Sequence, residues 1–163
     1  MNFCFAYANK AQLENILPKL FAILHANMSP IAPSGNSYDE DFRAWFSAVS
    51  PAMQKSQRQI VLMHDGDVLI GYFQYYVNDG TFMMEEIQLR REYHGSGVFA
   101  GLYGWLMRQL PDDLETVEAY AHKQNRKSQE ILTHLGLAPI GEGKNGRTYH
   151  YRGRYAELWE RYR

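Results

Sequence analysis

The 163-residue sequence has one cysteine, Cys4. A single thiol excludes an internal disulfide and any zinc site built on paired cysteines, and it fits a reducing, cytoplasmic setting. Its place in the apolar alternation FCFAYA predicts a buried thiol and no nucleophile. The six histidines show neither HxH nor HExxH spacing, so no metal site is expected. No uninterrupted apolar run approaches the ~20 residues that span a bilayer. The N-terminus has no basic and apolar stretch of the signal-peptide kind. Charge of one sign is lacking too. A net charge of −1 gives no reason to expect nucleic acid or a membrane surface as partner. The last twenty residues are the exception, with Lys144, Arg147, Arg152, Arg154, Arg161 and Arg163 against Glu157 and Glu160. A solvated basic face accounts for them most simply.

What is present is ordinary for a globular domain: 45% hydrophobic and 21% charged residues. No internal repeat or linker interrupts the chain, so residues 1–163 read as one α+β domain. Phe3 to Ala8 alternates as a strand. Asn9 with Gln12 forms a capping-box pattern ahead of a helix whose apolar face is Leu13, Ile16, Leu17, Leu20 and Leu24, with a kink expected at Pro18. Ser37 with Glu40 opens a short helix through Trp45 to Val49, which Ser50-Pro51 should stop. Two hairpins follow, turning at Asp65-Gly66-Asp67 and Asn78-Asp79-Gly80, with the third strand at Thr81 to Leu89. A helix is expected from about Val98 to Leu110, a strand at Thr116 to His122, and a helix capped by Asn125 and ending at Leu135-Gly136. Gly146 to Arg152 reads as a last strand before a short aromatic-rich helix.

The stretch GSGVFA, Gly95 to Ala100, fits the dinucleotide fingerprint G-x-G-x-x-A by letters alone. That fingerprint needs its glycines directly after a buried parallel strand. Here Arg90-Arg91-Glu92-Tyr93-His94 intervenes, and the preceding strands form hairpins. A second pattern fits better: a strand, a polar loop, Gly-x-Gly, a helix, and some thirty residues later the segment NRKSQEILTHLGL, Asn125 to Leu137. Together these resemble the acetyl-CoA motifs of the GNAT (Gcn5-related) N-acetyltransferases. In the six-position loop, His94, Gly95, Ser96, Gly97, Val98 and Phe99, the central Gly97 matches. His94 stands for Arg or Gln, and Phe99 for a small residue. In the second segment Asn125, Ser128, Gly136 and Leu137 match.

The resemblance implies a mixed, twisted, mostly antiparallel sheet flanked by helices, whose fourth and fifth strands splay apart. It also implies an enzyme that moves an acetyl group from acetyl-CoA to a primary amine. It assigns the pyrophosphate to main-chain donors at Gly95 to Phe99 with His94 beside them. Backbone groups at Ile87 and Leu89 are assigned to the pantetheine arm, and Asn125 is placed near the cofactor. The family's usual thiol-side acid, a tyrosine, is replaced by Leu132, which with Leu137 reads as the apolar pair of a Schellman end. Tyr120, Tyr149 and Tyr151 are the candidates for its role, each of them readable as an ordinary sheet aromatic as well. For the base, Glu85 and Glu86 lie in an apolar strand and point to opposite faces; Glu118 with His122 is a second set. The acceptor, a small-molecule or peptide amine, is expected at the irregular N-terminal part, where Met28, Tyr38, Trp45 and Phe46 offer apolar surface and Asp39, Glu40 and Asp41 offer charge. A second copy of the chain, as a homodimer, is left open. The alternative function is a CoA-binding or ligand-sensing domain that has lost catalysis, motivated by Phe99 and Leu132.

Overall fold

The computed structural model describes all 163 residues, Met1–Arg163. Seven strands and five helices follow one another in the order β1 (Phe3–Tyr7), α1 (Leu13–Met28), α2 (Tyr38–Lys55), β2 (Gln59–Asp65), β3 (Val68–Asn78), β4 (Thr81–Leu89), α3 (Val98–Gln109), β5 (Thr116–His122), α4 (Arg126–His134), β6 (Ala138–Glu142), β7 (Thr148–Arg154) and α5 (Tyr155–Tyr162). The sheet order is β1-β2-β3-β4-β5-β7-β6. β4 and β5 are parallel, whereas β1–β2, β5–β7 and β6–β7 are antiparallel. Both hairpin turns use the conformation their residues favour. Gly66 has φ 58°, and Asp79 and Gly80 have φ 48° and 79°.

The chain packs as two compact units, Met1–Gln74 with Glu86–Ser96, and Tyr75–Glu85 with Gly97–Arg163. In the first, Leu13, Leu17 and Leu20 of α1 bury against Met53, Ile60 and Tyr72. In the second, Phe82 packs edge-on against Tyr75 and Tyr155, and Leu102, Tyr103 and Leu106 of α3 are fully or almost fully buried.

Three expectations need correction, and one strand was not foreseen. Asn9 does cap, but its side chain accepts from Ala11 N and opens a 3-10 turn, Lys10–Gln12; α1 starts after it with no side-chain cap. Pro18 lies inside α1, as the sequence places it. The Ser37–Glu40 capping box forms as expected, yet α2 does not stop at Pro51 and runs to Lys55. Continuing places Met53 in the first unit's core at 1% exposure, and that burial offsets the hydrogen bond that the proline removes. β6 has no apolar periodicity to betray it. All five of its residues are exposed, and it carries Pro139, which an edge strand tolerates. Cys4 is exposed: the alternation is right, but Phe3 and Phe5 take the inward face.

Tyr155 gives the fold a marked alkaline sensitivity. Its ring is fully buried, its hydroxyl donates to the Pro111 carbonyl at 2.7 Å, and burial, then the charges of Asp112 and Asp113, push its pKa up to about 12. Burial also raises Tyr72, with Glu86 adding to the effect, and raises Tyr103. An unfolded tyrosine releases its proton near pH ~10. The unfolded state therefore loses protons first as pH rises, so this stability is complete below pH ~10 and declines from there towards pH 12. Urea unfolding between pH 9 and 11.5 should show that decline, and Tyr155→Phe should make it shallower. An unchanged slope in the variant would remove Tyr155 as a cause.

Candidate functional site

The loop between β4 and α3 is shaped by its glycines. A 3-10 turn, Arg91–Tyr93, is followed by Gly95 at φ 77° and Gly97 at φ 85°, and α3 begins at Val98. Side chains rarely adopt this left-handed conformation. A Cβ at either glycine would meet nothing within 4 Å, so the space in front of the loop is open. The first amides of α3 have no acceptor within the helix and carry the positive end of its dipole. Val98 is buried at 2% exposure and Phe99 is half-buried. The expectation for Ser96 needs revision. Its amide is bound to the Tyr93 carbonyl at 3.1 Å and is no outward donor, whereas its buried hydroxyl has no protein partner. Open glycines, unengaged helix-start amides and an orphaned hydroxyl fit a phosphate-bearing ligand.

His94 turns back onto its own strand. Its Nε2 lies 3.0 Å from the Leu89 carbonyl, which can only accept, so Nε2 carries the hydrogen. Asn27, near the end of α1, donates to the same carbonyl at 2.8 Å. Both lone pairs of that oxygen are therefore engaged, and the Leu89 expectation narrows to its amide N–H. The Arg90 amide donates to Ile70 of β3. By the alternation of a ladder, the backbone groups of Ile87 and Leu89 point away from β3. Gly71 permits this close approach of the strands, since a Cβ there would collide with the Gln88 carbonyl.

The two adjacent carboxylates separate as expected. Glu86 shares a face with Gln88, whose Nε2 donates to Glu86 Oε1 at 2.6 Å. The Gln88 Oε1 in turn accepts from Asn27 Nδ2 at 3.0 Å. Glu86 therefore lies on the α1 side and Glu85, by pleating, on the other. Glu86 also acts electrostatically on Tyr72, whose hydroxyl is buried without a hydrogen-bond partner. Sequence reasoning found Glu86 and missed Asn27, Gln88 and Tyr72. The only signal was a glutamine in an apolar strand.

β4 and β5 pair over Thr81–Met84 and Thr116–Ala119 only; β4 then runs on for Glu85–Leu89 and β5 for Tyr120–His122. On β5, Glu118, Tyr120 and His122 share a face. The register with β7 sets His150 opposite Tyr120 and Arg152 opposite Glu118. Glu118, at 9% exposure, meets His150 Nε2 at 2.6 Å and Arg152 at 3.4 Å. The Tyr120 ring stacks on His150, with centroids 4.4 Å apart and planes at 14°, yet remains 46% exposed. His122 is not part of this cluster, because its Nδ1 accepts from the Gln124 amide. Tyr149 and Tyr151 lie opposite Ala121 and Ala119, on the other face, and Tyr151 is buried. They do not join Tyr120. His150 was missed because its meaning depends on register, which periodicity does not supply.

Asn125 caps α4, accepting from Ser128 N at 3.1 Å. The far end is the expected Schellman motif. Leu137 N donates to Leu132 O, Gly136 N to Thr133 O, and both leucines are buried. Near the N-terminus, Phe21 is ringed by His25, Tyr38, Phe42 and Trp45 at centroid distances of 5.1–5.6 Å. Of the acids there, Glu40 completes the capping box and Asp41 accepts from Ser34. No three His, Cys, Asp or Glu side chains converge on a point where a metal ion would sit. No helix is long and apolar enough to cross a membrane.

No family model matches the sequence, and no curated protein matches it. Solved structures do. The PaiA N-acetyltransferase from Thermoplasma acidophilum, in complex with coenzyme A, superposes with TM-score 0.72 at 13% identity, over 95% of this chain and 100% of that one. A chimera of the spermidine N-acetyltransferase SpeG from Vibrio cholerae and hSSAT gives 0.62 at 16% identity, over 97% and 98%. Apo FdhC, a nucleotide-linked sugar GNAT, gives 0.65 at 13% identity, over 98% and 90%. By this likeness the chain has the GNAT acetyltransferase fold.

Proposed function

We propose that the protein, as one domain over residues 1–163, transfers an acetyl group from acetyl-CoA to a primary amine. The observation that carries this is the Gly95–Gly97 loop: open space, helix-start amides and an orphaned serine hydroxyl in a fold whose neighbours include a coenzyme A complex. The amides of Gly95, Gly97, Val98 and Phe99 and the Ser96 hydroxyl are the donors for the pyrophosphate. A role for His94 there falls to Nδ1, since Nε2 is on Leu89. The Ile87 backbone and the Leu89 amide are the partners for the pantetheine arm, and Asn125 is assigned to the cofactor as well.

Acetyl-CoA supplies an activated thioester carbonyl. The chain must take a proton from the ammonium form of the acceptor and provide one for a thiolate. Glu86 is the base, because it receives a hydrogen bond and is held as an acceptor; Glu85 has the weaker claim. Tyr120 Oη is the proton source, on a ring steadied by His150. Leu132 is buried in the end of α4 and has no proton to give.

The test is thermal unfolding with coenzyme A and with NADH, followed by thiol release from acetyl-CoA with spermidine, benzylamine and a lysine-containing peptide. Stabilisation by coenzyme A together with amine-dependent thiol release is expected. Stabilisation with no release from any amine would favour the binding or sensing role. No stabilisation by coenzyme A would overturn the proposal.

A further inference from the structure

Asn27, Gln88 and Glu86 form a directional chain of hydrogen bonds inside the first unit. Asn27 Nδ2 has two hydrogens, and both are engaged, one by the Leu89 carbonyl at 2.8 Å and one by Gln88 Oε1 at 3.0 Å. Gln88 must then present Nε2 to Glu86, 2.6 Å away. Reversing the Asn27 amide would set its oxygen against two acceptors. Reversing Gln88 would set oxygen against carboxylate and nitrogen against nitrogen. One orientation satisfies every group, and it ends on a carboxylate that must accept. Gln88 is 7% exposed, so water does not readily replace its bonds.

We infer that Asn27 and Gln88 are positioning residues for Glu86, holding its carboxylate as an acceptor, favouring its ionised form and tying it to the Leu89 end of β4. This rests on Glu86 being the base. The anchor of the chain is a main-chain carbonyl, which does not titrate, so the polarity of the chain holds across the working pH range. The titratable group facing Glu86 from β3 is Tyr72, whose pKa is raised well above the usual value by burial and by Glu86 itself. It stays neutral throughout that range. A hydrogen bond donated to a carboxylate favours its charged form. Removing Gln88's donor, or the Asn27 bond that aims it, should therefore make Glu86 harder to ionise.

The measurement is a ¹³C NMR titration of carboxyl-labelled glutamates in the full chain, with the Glu86 resonance identified by its loss in Glu86→Gln. In Gln88→Met and Asn27→Ala the Glu86 midpoint should rise by about one pH unit, the scale of one lost charge-assisted bond. The acid limb of kcat/KM for acetyl transfer should move with it, with kcat down about tenfold and KM for the amine little changed. The double variant should be no worse than either single, and neither change should matter further in the Glu86→Gln background. Asn27→Leu keeps the volume while removing the donors without adding a charge, and it serves if Asn27→Ala does not fold. An unmoved midpoint in all variants would overturn the inference and leave Glu86 as base. Full activity in Glu86→Gln would overturn both.

Discussion

Glu86→Gln lowers kcat/KM for acetyl transfer by about 10²-fold or more, the usual size for a lost general base, while Glu85→Gln leaves it nearly unchanged. The two substitutions are equal in sequence and unequal in structure. Glu86 accepts from Gln88, which is itself held by Asn27, so its carboxylate has a fixed direction. Replacing it with an amide keeps an oxygen that can accept from Gln88 but removes the charge and the capacity to take a proton. Glu85 lies on the opposite face of β4 by pleating. A single-turnover measurement with acetyl-CoA and an accepted amine separates the proton transfer from product release. Should both glutamine variants keep full activity, the base must be sought elsewhere. Glu118 would be next; its contacts with His150 and Arg152 both fall on Oε1, so proton transfer there would use Oε2.

How legible these groups were depended on whether their signal was local. The hairpins, the capping box at Ser37, the Asn125 cap and the Schellman end at Gly136 are each written in a few adjacent residues, and each appears where expected. β4 and β5 match to the residue, because turns and proline fix their ends. The Asn9 box failed locally, opening a 3-10 turn in place of the helix, and the other misses were decided at longer range. Pro51 reads locally as a stop, yet the burial of Met53 carries α2 past it. β6 has no pattern of its own and exists because β7 offers an edge. The site divides in the same way. Gly97 and Glu86 could be found from spacing and composition. His150 became visible only through the β5–β7 register, and Asn27 only through its distance of 61 and 62 residues from its partners.

The Gly95–Gly97 loop carries the other large expected effect. Gly97→Val should raise the dissociation constant for coenzyme A at least tenfold, about 1.4 kcal/mol, with the domain still folded. Gly97 has φ 85°, a conformation that costs an L-residue roughly 1–2 kcal/mol, and more when the side chain is β-branched. No neighbour lies within 4 Å of the added Cβ, so nothing in the protein need move to admit it. The loss in fold stability should therefore stay near that conformational cost, while the methyl groups stand in the open space before the amides of α3. Gly97→Ala should fall between wild type and valine, because alanine brings the conformational cost with little of the bulk. Isothermal titration with coenzyme A, beside urea unfolding of the same variants, separates the two effects. Equal losses in affinity for alanine and valine would mean that backbone strain alone weakens the loop. Unchanged affinity in the valine variant would place the phosphates elsewhere. If NADH stabilised the protein and coenzyme A did not, the dinucleotide reading of GSGVFA would be the correct one.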